Sequence, residues 1–130
     1  MGTREVISTD AAPAAAGPYS QAIRVGELVF TAGQLGIDPV TGELVGDDTP
    51  KQAEQALANV GAILAAAGSG MDRLVKVTVY LAEIGDWPAV NEIYVRHVPE
   101  PFPARSAFAV KDLPKGARVE IEAVAMVGVG

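Results

Sequence analysis

Two side chains stand where chemistry is expected. Arg105 lies in the run Val98 to Val110 (V-P-E-P-F-P-A-R-S-A-F-A-V), where Pro99, Pro101 and Pro103 bar a helix and push their predecessors into extended backbone. From Ala104 to Val110 the chain alternates, with Arg105, Ala107 and Ala109 on one side and Ser106, Phe108 and Val110 on the other. A guanidinium among small neighbours leaves its fork open, which suits a carboxylate or phosphate held by two parallel hydrogen bonds. Glu120 falls on the next expected strand, and the pattern places both residues on the sheet face away from the helices. If those strands pair as a hairpin, arginine would hold an anionic substrate while glutamate positions or deprotonates water. An internal ion pair, worth about 0.2–1 kcal/mol across a strand pair, is the other reading of the same residues.

The elements that must position these groups follow from period and punctuation. Arg4 to Ser8 reads as a short strand, Asp10 to Pro18 as a loop, and Tyr19 to Arg24 as extended chain. Gly26-Glu27 then turns into Leu28 to Thr31. Ala32-Gly33-Gln34-Leu35-Gly36 interrupts that signal, and its glycines mark a bulge or a close backbone approach. Asp38 to Gly42 is a turn. A first helix is expected from an N-cap at Thr49, with Pro50 at the first helical position and Gln52 completing a capping box, as far as Gly68. Its buried stripe is Ala53, Leu57, Val60, Leu64 and Ala67, widened by Ala56 and Ile63. Leu74 to Leu81 reads as a strand with Val75, Val77, Val79 and Leu81 under the helices. Asp86 caps a second helix from Trp87 to about Val98, with Val90, Ile93, Tyr94 and His97 on one face. After the Arg105 strand, Leu113 to Gly116 turns the chain into a last strand, Ala117 to about Val127. There Val119, Ile121, Ala123 and Ala125 alternate with Glu120, Glu122, Val124 and Met126.

This order predicts one α+β domain over residues 1–130, a mixed sheet with two helices packed on one face. The uncovered face, expected to carry Arg105, Ala107, Ala109, Thr78, Glu120 and Val124, is too mixed for a core and too apolar for solvent alone. A partner subunit is its expected cover. The formal charge of -6, with ten scattered basic residues, argues against a broad nucleic-acid surface. With no cysteine, disulfides, thiolate metal sites and cysteine nucleophiles are excluded. A cytoplasmic location, no membrane span and no signal peptide are the expectations. The single histidine, His97, has no evident second ligand and reads as packing, so no metal site is expected. Trp87 reads as a packing anchor, and Asp47-Asp48 as charge complementing a helix N-terminus.

Eight motifs, in order and spacing, resemble the RidA/YjgF/UK114 family. They are Gly17-Pro18-Tyr19-Ser20-Gln21-Ala22, Ala32-Gly33-Gln34, Thr41-Gly42-Glu43, Asn59, Asn91-x-x-Tyr94, Pro103-Ala104-Arg105-Ser106, Leu113-Pro114-Lys115-Gly116 and Val119-Glu120-Ile121-Glu122-Ala123. The resemblance spans nearly the whole chain. It implies a chorismate-mutase-like fold of the bacillus type in a homotrimer, with sheets forming a barrel, helices outside and three sites in clefts between subunits. It also implies a cofactor-free deaminase that hydrolyses 2-imino acids, such as 2-iminobutanoate and 2-iminopropanoate released from PLP enzymes, to 2-keto acids and ammonia.

On the matching positions, Arg105 would clamp the substrate carboxylate and Glu120 would engage the attacking water. Tyr19 and Asn91 would line the cleft. Ala107 would offer its backbone N–H and C=O, and Gly33 would permit close approach. Two departures stand out: Ala107 replaces a common Cys, keeping only the backbone contacts, and Ala32 replaces a frequent Ser. His97-Val98 replaces a commonly aromatic pair, read as packing. A non-catalytic keto-acid-binding or regulatory protein built on the Arg105 cleft is the alternative, with an endoribonuclease or translation inhibitor disfavoured by the acidic charge.

Overall fold

The computed structural model of the chain describes residues 2–128. β1 (Glu5–Ile7) pairs antiparallel with β2 (Ala22–Val25), which returns through Gly26-Glu27 as β3 (Leu28–Thr31). β4 (Gln34–Leu35) follows after a two-residue break. α1 (Thr49–Ala66), β5 (Leu74–Leu81), α2 (Trp87–His97), β6 (Ala104–Ala109) and β7 (Val119–Met126) complete the order. In space the strands run β1-β2-β3-β7-β5-β6, with β4 also paired to β7. The expected α+β architecture is present, a mixed sheet with both helices on one face.

The last strand does not form a hairpin with the Arg105 strand. β7 inserts between β3 and β5, antiparallel to both, and β6 is parallel to β5. The physical reason is the connection: α2 is a crossover long enough to carry the chain back to the start of a parallel neighbour, so β5 separates β6 from β7. Alternation along β7 then fixes both faces. Val119, Ile121, Ala123 and Ala125 are buried beneath the helices. So are Val29, Val77, Val79 and Leu81, against Leu57, Val60, Ile63 and Leu64 of α1 and Val90 and Tyr94 of α2. Each fully buried aliphatic side chain contributes about 1.5–3 kcal/mol. Val75, expected in this layer, is 41% exposed, because a register shift between Leu74 and Lys76 throws it out of phase.

The start of α1 lies one residue earlier than the sequence pattern expects. Asp48 is the N-cap, its carboxylate accepting from the Lys51 amide at 3.0 Å, and Pro50 takes the second helical position. Gln52 is not part of a capping box. It is buried, donating to the Gly46 carbonyl at 2.6 Å and accepting from the Arg118 amide at 2.7 Å, which ties the helix entry to the chain before β7. Asp86 caps nothing with its side chain; it pairs with Arg118 at 3.0 Å and accepts from the Thr49 hydroxyl at 3.2 Å. The helix ends as expected at Gly68. Its φ of +81° lets the Gly68 and Ser69 amides turn back to Ala65 and Leu64. His97 bonds to Glu54 of α1, linking the two helices.

Two buried amides hold the loops that later form the site. Gln21 donates to the carbonyls of Thr9, Ala12 and Pro13 and accepts from the Thr9 amide. Asn59 donates to the carbonyls of Leu35 at 3.1 Å and Ile37 at 2.9 Å, fastening the segment after β4 onto α1. Asn59→Ala leaves both carbonyls unpaired in a buried setting and is expected to cost about 1–3 kcal/mol. Urea unfolding should show a lower midpoint with an unchanged slope; an unchanged midpoint would mean water or the loop itself satisfies those oxygens.

Candidate active site

Parallel pairing of β6 sets the direction of Arg105. Arg105 is level with Val77 and Ala107 with Val79, both of which face the helices, so Arg105, Ala107 and Ala109 lie on the helix side of the sheet. The expectation that they share the open face with Glu120 is therefore corrected. Ser106 and Phe108 occupy the open face instead, and Phe108 packs edge-on against Tyr80 with ring centroids 5.4 Å apart. Glu120 is on that open face, opposite Tyr80 in the β5–β7 register. Two strand spacings and a three-residue offset separate Arg105 from Glu120, about 14 Å at Cα before the side chains diverge to opposite faces. They form no ion pair within the chain, and the hairpin salt bridge weighed above is excluded.

Arg105 is nonetheless held. Its Nη1 donates to Asn91 Oδ1 at 2.8 Å, and the guanidinium lies 4.6 Å from the Trp87 ring centroid and 4.7 Å from that of Tyr94. All three partners come from α2 at positions 87, 91 and 94, one stripe of the helix. Asn91, expected to line a substrate cleft, is the hydrogen-bond acceptor for the Arg105 guanidinium. Trp87 and Tyr94 were read from sequence only as packing residues, although the i, i+4, i+7 spacing with Asn91 was the signal that could have joined them to Arg105. Among the described residues no carboxylate lies within ion-pair distance of Arg105, which is exposed, whereas Arg118 is paired to Asp86. A guanidinium has five N–H donors, and Asn91 takes one. Arg105 itself lines a cavity of about 340 Å³, together with Asn91, Tyr94, Val95, Phe102 and Pro103.

β6 is also the sheet edge. The Val110 amide donates to the Leu81 carbonyl, so by the two-residue period Ser106 and Phe108 direct their backbone groups at β5. The N–H and C=O of Arg105, Ala107 and Ala109 consequently point away from the sheet. Ala107 presents backbone groups that no strand among the described residues uses.

Glu120 anchors a second, larger cavity of about 610 Å³, whose walls include Tyr19, Gly33, Leu35, Ile37, Thr41 and Lys115. Gly33 and Tyr19 are thus brought together with Glu120, not with Arg105. A Cβ on Gly33 would lie 2.8 Å from Glu120 Cδ and would collide with the carboxylate, so the glycine at the break between β3 and β4 makes room for that side chain. Tyr19 is half exposed, its hydroxyl accepting from the Ala16 amide at 3.3 Å. On the other flank of Glu120 a cavity of about 360 Å³ adds Tyr80, Asp112 and Glu122. Burial, and then the charge of Glu122, pushes the Glu120 carboxyl above the usual range; burial and the same carboxylates push the Tyr80 hydroxyl up as well. Glu122 and Tyr80 went unassigned at the sequence level; their signal is the register that seats them beside Glu120. No cluster of His, Cys, Asp or Glu that could hold a metal occurs among the described residues.

Residues 9–127 match the family model described as Endoribonuclease L-PSP. The chain belongs to this family. Its relatives within the Endoribonuclease L-PSP family include the goat (Capra hircus) 2-iminobutanoate/2-iminopropanoate deaminase, 52% identical over 96% of this chain and 91% of that one. Among solved structures, RidA from the Antarctic bacterium Psychrobacter sp. PAMC 21119 superposes with a TM-score of 0.91 at 46% identity, covering 95% of this chain and 99% of that one. The E. coli TdcF structure with bound serine gives 0.89 at 39% identity, over 95% and 99%. The RidA/YjgF/UK114 resemblance read from the motifs is the same family.

A carboxylate whose pKa is raised on folding stabilises the protonated folded chain. The penalty of the charged form is absent below the unfolded carboxylate pKa, near 4.3, and fully present above the folded one. Glu120→Gln is therefore expected to raise Tm slightly at pH 7.5, with the gain over wild type shrinking to nothing near pH 4. Calorimetric scans at both pH values check the sign; a variant less stable at pH 7.5 would mean that the carboxylate carries a favourable interaction.

Proposed function

We propose that the chain is a 2-imino acid deaminase, converting reactive imines to 2-keto acids and ammonia without a cofactor, in clefts between the subunits of a homotrimer. The observation that carries this reading is the split of the site. A pre-set, unpaired cation and a carboxylate of raised pKa lie on opposite faces of one sheet, beside an open strand edge. Each half lacks what the other holds. A second copy seated on the β6 edge would bring its Glu120, Gly33 and Tyr19 toward the first copy's Arg105 and Ala107. The exposed Phe30, Phe108 and Met126 on the open face supply the apolar surface for such a contact. A barrel of three sheets with the helices outside, the chorismate-mutase-like arrangement, is part of the proposal, as is a cytoplasmic setting. The names of relatives about half identical over most of their length support the substrate class.

In this cleft the substrate carboxylate takes the free donors of Arg105, and the outward N–H and C=O of Ala107 meet the C2 and nitrogen end. Glu120 accepts a proton from water as its oxygen bonds to C2, and the imine nitrogen is protonated. The tetrahedral carbinolamine then collapses: its hydroxyl proton passes through Glu120 to the amine, the C–N bond breaks with ammonia leaving, and the oxygen becomes the keto group. Imine and water are consumed, keto acid and ammonia released. A base with a pKa closer to neutrality exchanges protons with water and nitrogen more effectively than an ordinary carboxylate. Activity should fall as pH drops through the raised Glu120 pKa, because the base is then protonated.

The decisive experiment mixes halves. Arg105→Ala and Glu120→Gln should each lower saturating imine turnover by ~100-fold or more, measured as keto-acid release from imines generated in situ. Refolded together at equal amounts, the two should recover about a quarter of wild-type activity, since random assembly pairs an intact Arg105 with a neighbour's intact Glu120 at that frequency. No recovery would place both residues in one chain's site and overturn the inter-subunit reading. Arg105→Lys should also lose most activity, because a point charge does not reproduce a two-pronged grip; full turnover in that variant would remove the clamp.

A further inference from the structure

We infer that Trp87 and Tyr94 are positioning residues for Arg105, forming with Asn91 a three-sided cradle that sets the guanidinium plane before an anion arrives. The inference rests on the clamp reading above and adds two residues to it. An exposed arginine samples many rotamers, and a flexible fork must lose that freedom when it grips a carboxylate. Here the loss is taken on folding. Two aromatic rings lie at 4.6 and 4.7 Å from the guanidinium carbon, within the distance at which a ring face attracts a cation, and the Asn91 amide oxygen fixes rotation about the remaining axis.

Burial fixes the ring of Tyr94: the residue is 2% exposed and lines the Arg105 cavity, so its face is held 4.7 Å from the guanidinium carbon. Trp87 is only partly buried and packs at the edge of the core, so its substitution is the milder test of the fold. It is also the single tryptophan, so its emission reports on the guanidinium beside it.

The test measures pyruvate affinity by calorimetry, saturating imine turnover and tryptophan emission. Trp87→Leu and Tyr94→Leu should each weaken pyruvate binding and raise KM about 5-fold, with kcat within about twofold of wild type. Trp87→Phe and Tyr94→Phe should recover most of the affinity that leucine loses, since a ring face is restored. In the parent protein, pyruvate should change tryptophan emission and saturate at the calorimetric Kd, and Arg105→Leu should abolish that change. Leucine variants that fold and retain full affinity would overturn the cradle, as would phenylalanine variants as weak as the leucine ones. A ring-dependent pyruvate Kd in a parent that releases no keto acid from imines would leave the cradle standing and defeat the deaminase reading. A parent that does not bind pyruvate defeats both.

Discussion

The two halves of the sheet meet at β7, with β3 and β4 along one side of it and β5 along the other, and its period of two divides the molecule. Val119, Ile121, Ala123 and Ala125 are driven under the helices by burial, and Glu120 and Glu122 have no choice but the opposite face. A slip of one residue would bury two carboxylates and expose four aliphatic residues, so the hydrophobic pattern that holds the fold together is also what aims Glu120. The raised pKa follows from the same placement, since that carboxylate is half covered by its own strand, Gly33 and the loop at Pro114.

Much of this was legible in the chain. The alternation of β7, the extent of α1 and the core residues of β5 follow from periodicity because burial on one face is a strong, local constraint. What periodicity does not carry is the order of strands. Arg105 was expected beside Glu120 because consecutive strands with a short link commonly pair. The turn at Leu113 to Gly116 says nothing about β5 being interposed. Parallel pairing through α2 is a tertiary choice, and it reverses the face on which Arg105 falls relative to that expectation. The exposure of Val75 is a smaller case, where one bulge shifts the phase of an otherwise regular strand.

The cap of α1 and the partners of Gln52, Asp86 and Asn59 show a second limit. Gln52 and Asp86 have the residue types of local helix signals, yet Gln52 accepts from the amide of Arg118, Asp86 pairs with the Arg118 side chain, and Asn59 reaches back to the carbonyl of Leu35. Polar side chains with several donors and acceptors satisfy whichever backbone group is buried nearest, and that is known only after the layers have packed. The motifs around Gln21 and Asn59 are explained in this way: they splint the loops that wall the Glu120 cavity without facing it.

Strand β6 is read by two sets of demands on alternate residues. The amides of Ser106 and Phe108 belong to the ladder with β5, so a proline at either position would break the fold itself. The amides of Arg105, Ala107 and Ala109 point outward and are not needed by this chain to fold. Within one short strand, then, tolerance to imino acids and N-methylation reads out function at odd positions and folding at even ones, independently of any side chain. The alanine at position 107 illustrates the same economy: in the proposed cleft only the main chain of that residue is used, which leaves its side chain free to vary.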